Sequence, residues 1–453
     1  MLIRFVVSNY LSIGEMVEFN MLTGPYKTHI NHVASSRKIK LLKAAAIYGA
    51  NGAGKSSLIK ALEALRDILV EDERVPASTK SLTYRLSDKY DKEPIVFDIE
   101  FSHKKKYFGY TLKFKDGIIL EESLYELGFA KEDKLIFERT YSSRLSKSAI
   151  QIGDKYNKSE KNKLLIKLLE DNLLLNDKPL LCMYKVLKIA NITTAATWFQ
   201  NNLKIIFPES KFGGLVYALS SVEHFKPLAN KMLNSFDTGV CEIGVEDVDF
   251  DDYFGKENNK IKVELLDRLN KGIEQVVIPG PNGGLLATLV DGKAVIKQPC
   301  TYHYNDENRK IHFDVTEESD GTQRLLDIIP AIDMLLNGEV TIIIDEIDRS
   351  IHPKLLKDVI AKLLSSETDL RGQIIFTTHE CNLLDFNLFR QDEIWFVEKH
   401  QGNTVLYPLT DFRPRQDLDI AKGYLKGRFG AIPFLGNLSD LNWNSNATSE
   451  KRV

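Results

Sequence analysis

A run of eight residues near the amino end of the chain has the types and spacing of a phosphate-binding loop. It matches GxxxxGK[ST] at every fixed position, and Ser57 follows it directly: Gly49-Ala50-Asn51-Gly52-Ala53-Gly54-Lys55-Ser56. An apolar run precedes it at 44–48, and helical periodicity follows at 55–69. The glycines allow backbone N–H groups to approach phosphate oxygens. We predict that these nine residues bind ATP, with Lys55 on the β- and γ-phosphates and Ser56 on Mg²⁺.

A second group with chemical potential lies far along the chain, where the apolar run 341–344 ends in Asp345 and Glu346. In phosphoryl-transfer sites, the first such carboxylate holds Mg²⁺ and the second polarises the attacking water. Buried strands often end in acids, so the pair becomes specific only in combination with the phosphate loop. We predict that Asp345 is a metal ligand and that Glu346, with Lys55, is catalytic in ATP hydrolysis.

Two further elements lie in an order that fits this chemistry. The segment Ser319-Asp320-Gly321-Thr322 precedes a helical run, and taken alone it is equally typical of a helix cap. The apolar run 374–378 ends in His379. A lone histidine at a strand end is more often structural, but its position after the other motifs favours a catalytic role for His379.

The order of these motifs resembles that of the ABC-type ATPase heads of the SMC, RecF and OLD superfamily. Within it, the likeness is greatest to the AAA family 15 ATPases of bacterial defence loci, and size and layout are similar to the ATPase subunits of PARIS-type anti-phage systems. Segments outside the nucleotide motifs look like that family as well: 5–10, 237–240, 391–395 and 423–433.

The resemblance implies properties that the motifs alone do not. It implies an α/β fold, an ABC-type P-loop ATPase head with a mixed-sheet lobe and a helical lobe, working as a homodimer or a higher oligomer. In such a dimer, Ser319 and Gly321 contact the γ-phosphate of ATP bound to the partner subunit, and His379 is the switch histidine. It further implies a sensor or switch subunit for abortive infection, with a Toprim-type nuclease effector and a phage protein or DNA as trigger.

The sequence departs from the family pattern at several positions. The signature has its serine and glycine but not its glutamine, His352 replaces the aspartate that ends many D-loops, and Pro330 is expected to kink the following helix. The Q-loop glutamine has no assignable position. No long heptad arm interrupts the head, which excludes a filamentous SMC protein. The carboxyl-terminal region lacks a convincing Toprim set, which argues against a self-contained OLD nuclease.

The distance between the phosphate loop and the acid pair requires an insertion between the two halves of one site. We predict an amino-terminal half of the head at 1–143, a helical insertion at 144–236, a carboxyl-terminal half at 237–437 and a flexible tail at 438–453. Strands are expected at 2–7, 16–19, 95–101 and 107–114, and helical stretches at 164–175 and 215–233. The insertion is expected to be dispensable for nucleotide chemistry and to serve as a docking surface.

Composition limits the remaining possibilities. The 60 Lys and Arg against 63 Asp and Glu give a formal charge of −3, so any site for a polyanion must be a local patch. The four cysteines are scattered without metal or disulfide spacing, and no signal peptide or membrane helix is evident, which favours the cytoplasm. The lysines at 104–106 and 155–163 are interpreted as solvated, with nucleic-acid contact as the alternative for the second run. The acids at 246–252 are interpreted as an exposed strand edge or turn.

Two rival functions remain open at this point. One is a DNA-repair ATPase of the RecF kind that binds DNA directly. The other is an adaptor that uses ATP as a structural clamp with little turnover. The sequence favours neither over the defence ATPase.

Overall fold

The computed structural model describes residues 1–36, 38–129, 131–156, 160–212, 214–255, 260–271, 273, 275–278 and 284–432. Within these residues the strands form four sheets. The predicted tail at 438–453, and Pro433 at the end of the last family-like segment, lie outside the described residues. Among the described helices, none is both long and apolar enough to cross a bilayer.

A seven-stranded antiparallel sheet contains the amino-terminal strands in the order β10-β9-β8-β7-β6-β1-β2. Its strands are β1 Leu2–Ser8, β2 Val17–Asn20, β6 Ile95–His103, β7 Lys106–Lys115, β8 Ile118–Glu126, β9 Lys134–Ser142 and β10 Lys147–Ile152. The hairpin predicted at 95–114 is confirmed. Alternate residues of β6 are fully buried from Ile95 to Phe101, as expected for a strand with one face in the core. A small hairpin lies beside it, formed by β3 Val33–Ser35 and β4 Lys40–Leu42.

The central sheet has six strands in the order β11-β17-β18-β5-β19-β20, of which the first five are parallel. They are β5 Ala44–Gly49, β11 Leu203–Ile206, β17 Thr341–Ile344, β18 Gln373–Thr378, β19 Ile394–His400 and β20 Asn403–Pro408. Residues Ala45 and Ile47 pack into one hydrophobic core, and Ala44, Ala46 and Tyr48 into another. Strand β5 is therefore buried on both faces, which explains its uninterrupted apolar sequence.

Twelve α-helices complete the described structure. They are α1 Lys55–Val70, α2 Lys89–Lys92, α3 Glu160–Leu168, α4 Tyr184–Leu187, α5 Ala190–Thr197, α6 Leu215–Ser221, α7 Phe225–Ser235, α8 Phe250–Phe254, α9 Lys260–Asn270, α10 Asp320–Asn337, α11 Pro353–Leu363 and α12 Ile420–Leu425. Helix α1 buries Leu58, Leu62 and Leu65 in the core shared with the seven-stranded sheet. Helices α10, α11 and α12 cover the opposite face of the central sheet. The described fold is thus α/β, as predicted, with helices on both faces of a mostly parallel central sheet.

A third sheet, with strand order β12-β15-β14-β13 and β16 on β15, was not anticipated in detail. Its strands are β12 Glu242–Asp249, β13 Gln275–Ile278, β14 Leu285–Val290, β15 Lys293–Tyr304 and β16 Lys310–Asp314. It packs on α8 and α9 around a core of its own that includes Phe250, Leu265 and Ile296. The acids at 246–252 serve structure here: Asp249 caps α8, and Asp247 pairs with Lys297.

The interpretation of 144–236 as a helical excursion needs correction. Residues Lys147–Ile152 form β10, and Leu203–Ile206 form the edge strand β11 of the central sheet. Trp198 is fully buried and stacks on Phe101 of β6, with ring centroids 4.3 Å apart. The segment therefore supplies a strand and core aromatics to the head and is not purely helical, while its dispensability for nucleotide chemistry stays a prediction.

Candidate nucleotide site

Three neighbouring parallel strands bring the predicted site residues to one edge of the central sheet. The phosphate loop follows β5, His379 follows β18, and Asp345 and Glu346 follow β17. Strand β18 pairs with both β5 and β17, so their carboxyl ends lie side by side. Ligand sites of open α/β sheets lie at such an edge.

Three glycines of the loop are required by its backbone geometry. Gly52 and Gly54 have φ values of 76° and 111°, a conformation that side chains with a Cβ rarely adopt. A Cβ at Gly54 would also lie 2.1 Å from Thr404 Oγ1, and a Cβ at Gly49 would lie 2.3 Å from the carbonyl oxygen of Val397. The loop is therefore fitted against β19 and β20, and any side chain at Gly49 or Gly54 would displace it.

Lys55 opens α1 and is 5% exposed. Its ammonium donates hydrogen bonds to the carbonyl oxygens of Gly49 at 2.8 Å and Ala50 at 3.2 Å, and to His379 Nε2 at 2.9 Å. Burial lowers the pKa of Lys55 to about 8, against the opposing effect of nearby carboxylates. An ammonium has three donors, so a phosphate oxygen that binds Lys55 must displace one of these acceptors.

The acid pair is organised by one threonine of the neighbouring strand. Thr377 Oγ1 donates to Asp345 Oδ1 at 2.5 Å and accepts from the backbone N–H of Glu346 at 2.8 Å. Asp345 is 2% exposed, and Glu346 has a positive φ of 48°. Such backbone strain in a residue other than glycine is typical of functional sites. The arrangement fixes Asp345 and directs the chain away from the sheet at Glu346.

His379 lies between the loop and the acids. Burial, and after it the charge of Lys55, lower the pKa of His379, so a neutral ring accepts the hydrogen bond from Lys55. The backbone N–H of His379 lies 3.4 Å from each carboxylate oxygen of Asp348. The structure thus joins His379 to Lys55 on one side and to the segment after Glu346 on the other.

The signature-like segment begins α10. Ser319 is its N-cap, and the Ser319 hydroxyl accepts from the backbone N–H of Thr322 at 3.2 Å. A Cβ at Gly321 would lie 2.9 Å from the carbonyl oxygen of Ser350, so the helix start packs closely on the segment that follows Glu346. The helix-cap interpretation is confirmed. Contact of Ser319 and Gly321 with a partner's nucleotide remains a prediction.

Several residues that support the loop escaped the sequence analysis. Ser12 Oγ donates to Ser57 Oγ at 2.8 Å and lies 2.8 Å from Thr404 Oγ1, which in turn donates to the Ala53 carbonyl oxygen at 3.2 Å. These hydroxyls come from the β1–β2 connection and from β20, far from the loop in sequence. No local pattern marks them, because only the folded sheets bring them together.

The predicted ligands have the chemistry that Mg²⁺ prefers. Asp345 offers a buried carboxylate, and Ser56 lies in the first turn of α1 with a hydroxyl. Within the part of the chain that the structure describes, no group of three or more His, Cys, Asp or Glu side chains could hold a metal ion.

A family described as "AAA domain, putative AbiEii toxin, Type IV TA system" matches residues 44–173 and 201–385, more than half of the chain. The chain belongs to this family. Its match includes the phosphate loop, the signature-like segment, the acid pair and His379. The prediction of an ATPase-type nucleotide-binding domain is confirmed at this level, whereas the narrower likeness to AAA family 15 remains a prediction.

Solved structures with a similar fold include three SMC heads. One is the SMC head domain from Thermotoga maritima, at 11% identity and TM-score 0.35, covering 90% of this chain and 98% of that one. Another is the SmcHead bound to the C-winged helix domain of ScpA, at 12% identity and TM-score 0.39, covering 90% and 96%. A third is an Smc head with an extended coiled coil, bound to the C-terminal domain of ScpA derived from Pyrococcus furiosus, at 13% identity and TM-score 0.39, covering 91% and 97%. No curated protein matches the chain.

Proposed function

We propose that this AbiEii-type AAA protein binds ATP with Mg²⁺ and hydrolyses it. The observation that carries the proposal is the meeting of the phosphate loop, the Asp345–Glu346 pair and His379 at the ends of three adjacent parallel strands. Bound Mg²⁺ would neutralise phosphate charge, with Ser56 and Asp345 as its protein ligands. Glu346 would accept the proton of the attacking water.

In this proposal, ATP binding replaces one of the hydrogen-bond acceptors of Lys55. Its bonds to Gly49 and Ala50 belong to the loop itself, whereas His379 is a side chain on a separate strand. A γ-phosphate at Lys55 would therefore replace His379, and the released ring could donate or accept a hydrogen bond near the transferred group. His379 would thus report the presence of the γ-phosphate to the segment that Asp348 anchors.

The direct test is phosphate release by the purified protein with ATP, measured with Mg²⁺ and after chelation by EDTA. We expect turnover that requires Mg²⁺. Tight ATP binding without turnover would favour the structural clamp, and absence of ATP binding would contradict the proposal.

Thr404 is proposed as a positioning residue for the phosphate loop. It is 1% exposed, and its hydroxyl bonds both Ser12 and the Ala53 carbonyl oxygen. In Thr404→Val, the buried Ala53 carbonyl and the half-buried Ser12 hydroxyl lose a partner, and an unsatisfied buried group costs about 1–3 kcal/mol. We expect ATP affinity to fall roughly tenfold, with kcat changed less, and Thr404→Ser to restore it. Wild-type affinity in Thr404→Val, or failure of the serine variant to rescue, would count against this role.

The homodimer with composite sites is likewise a proposal, and the cap at Ser319 allows a clean test. Aspartate and asparagine are both good N-caps, so Ser319→Asp keeps the start of α10 while it places a negative charge against a γ-phosphate. Ser319→Asn is the matched neutral control. We expect Ser319→Asp to lose ATPase activity and Ser319→Asn to retain much of it.

Mixing inactive Ser319→Asp protein with inactive Lys55→Ala protein then tests whether the site is shared. In a mixed dimer, both defects fall in one composite site and the other site is intact. With random exchange at equal amounts, about half of the dimers are mixed, so roughly a quarter of wild-type sites should return. Absence of recovery despite demonstrated subunit exchange would contradict independently acting shared sites.

For the biological role we propose a sensor or switch subunit of an anti-phage, abortive-infection complex that controls a Toprim-type nuclease. Support comes from the likeness of the motifs to defence ATPases and from the toxin–antitoxin description of the family. Toxicity that requires both an intact Lys55 and a neighbouring nuclease gene would support this role. DNA-stimulated turnover without any such partner would favour the RecF-like repair ATPase.

A further inference from the structure

A groove of about 1250 Å³ lies at the edge of the central sheet opposite the nucleotide site. Lys43 directly precedes β5, and Leu370 and Arg371 shortly precede β18, so the groove is at the amino ends of the strands whose carboxyl ends hold the phosphate loop and His379. Strand β5 has six residues, which separates the two sites by about 20 Å. A ligand in the groove therefore need not compete with ATP.

Positive charge converges on this groove from three separate parts of the chain. Five of its described lining residues are cationic, and two are acidic: Lys38, Lys43, Lys104, Lys105 and Arg371 against Glu339 and Asp369. Arg371 pairs with Asp369 across 3.5 Å, which leaves an excess of lysine charge over a single remaining acid. In a chain of net charge −3, this is a local reversal of sign.

The β6–β7 turn contributes two of these lysines at a conformational cost. Lys104 and Lys105 have φ values of 48° and 62°, and His103 pairs with Lys106 across the two-residue turn. Both central positions of such a turn favour asparagine or glycine. Lys106 is engaged outside the groove, because its ammonium donates a hydrogen bond to Asn191 Oδ1 at 2.6 Å. Solvation alone would be served equally well by asparagine and glycine.

The surroundings of the turn oppose further positive charge. Burial, and after it the charge of Lys104, lowers the pKa of His103 to about 4. Burial also lowers the pKa of Lys43, against the opposing charge of Asp369. Lys38 lies over the ring of Tyr107, with its ammonium 5.2 Å from the ring centroid. An anion in the groove would offset the positive charges of Lys104 and Lys105 beside His103.

We propose that this groove binds the phosphate backbone of DNA without sequence preference. Lysines act as point charges and lack the rigid fork with which arginine reads bases, so they suit contacts to phosphates. Their spread over three chain segments matches a ligand whose charge is also spread along its length. The proposal is independent of ATP hydrolysis, since it concerns the opposite edge of the sheet.

The test is fluorescence anisotropy with a labelled DNA duplex of mixed sequence, about two helical turns long, titrated without nucleotide at about 50–200 mM salt. Wild-type protein should bind, with a logarithmic salt slope of about −0.9 for each phosphate neutralised. Lys104→Gln/Lys105→Gln should weaken binding about tenfold or more and reduce the slope by about 2. Because the turn is exposed, the thermal unfolding temperature of the double variant should match that of the wild type.

The matched control is Lys80→Gln/Lys426→Gln, which removes the same charge at exposed positions outside the groove. We expect it to keep the wild-type slope. An equal loss in both double variants, or no DNA binding at low salt, would overturn the proposal even if ATP turnover were normal. Tighter binding of poly-L-glutamate than of DNA would also overturn it and assign the groove to an acidic protein segment.

Discussion

Lys55→Ala is expected to abolish ATP binding and every nucleotide-dependent activity of the protein. Lys55 carries a buried charge held by two loop carbonyls and His379, beside the acid pair. Its removal deletes the one cation of the loop, which we expect to contact the β- and γ-phosphates. Equilibrium binding of a fluorescent ATP analogue and phosphate release together measure the effect.

Lys60→Ala is the matched control for this change. Lys60 lies on the same helix α1 but is exposed, so its loss removes one positive charge from the same element without touching the site. We expect wild-type binding and turnover from it. ATP turnover by Lys55→Ala at the wild-type rate would show that nucleotide binds elsewhere.

Glu346→Gln should separate binding from hydrolysis. Glutamine has the size of glutamate and can hold the strained backbone at this position, but it cannot accept a proton from water. We expect ATP to bind with near wild-type affinity, while turnover falls by roughly 10²–10⁴-fold. Phosphate release and retained ATP, measured on the same preparation, give both quantities.

Glu132→Gln removes an exposed carboxylate in the β8–β9 connection and controls for the change of charge. It should hydrolyse ATP like the wild type. If Glu346→Gln turned over at the wild-type rate, Glu346 could not be the base, and Asp348 on the same segment would become the next residue to test.

The sequence located the motifs at strand ends because each motif is local, while the catalytic and binding roles of their residues stay predictions. Each motif is defined within a few residues: a glycine-rich turn, an apolar strand that ends in acids, and an apolar strand that ends in histidine. Its local backbone conformation can therefore be predicted from those residues alone. Parallel strands then force their carboxyl ends to one edge, so Lys55, Asp345 and His379 had to meet once β5, β17 and β18 were neighbours. The supporting hydroxyls of Ser12 and Thr404 could not be predicted, because their contacts depend on which edges of two sheets adjoin.

The segment 144–236 shows what local sequence patterns cannot predict. Helical periodicity correctly indicates helix at 215–233, but the structure divides this stretch into two helices, α6 and α7. The four residues of β11 are too few for a periodic signal, and their burial depends on pairing with β17 at a long separation in sequence. The acids at 246–252 were interpreted as an exposed strand edge or turn, but the sheet from β12 to β16 was not predicted in detail, because its core forms only between distant hairpins and α9.

The groove that we propose as a DNA site could not be predicted from the sequence either, because it forms only in the folded chain. Lys38, Lys104 and Arg371 come from separate segments, and a linear charge count at 104–106 favoured a solvated turn. Only the fold shows that Lys104 and Lys105 line a groove while Lys106 is engaged with Asn191. If the turn is only solvated, the double variant should keep the wild-type salt slope of DNA binding. If the groove binds DNA, the slope should fall by about 2.

A crystal structure of Glu346→Gln protein with ATP and Mg²⁺ tests most directly whether one composite site holds Mg-ATP. We predict Mg²⁺ in contact with Ser56 and Asp345, a γ-phosphate oxygen on Lys55 in place of His379, and the partner subunit's Ser319 against that phosphate. Phosphates bound away from the 49–57 loop, or a metal ion without Asp345 among its ligands, would contradict the account.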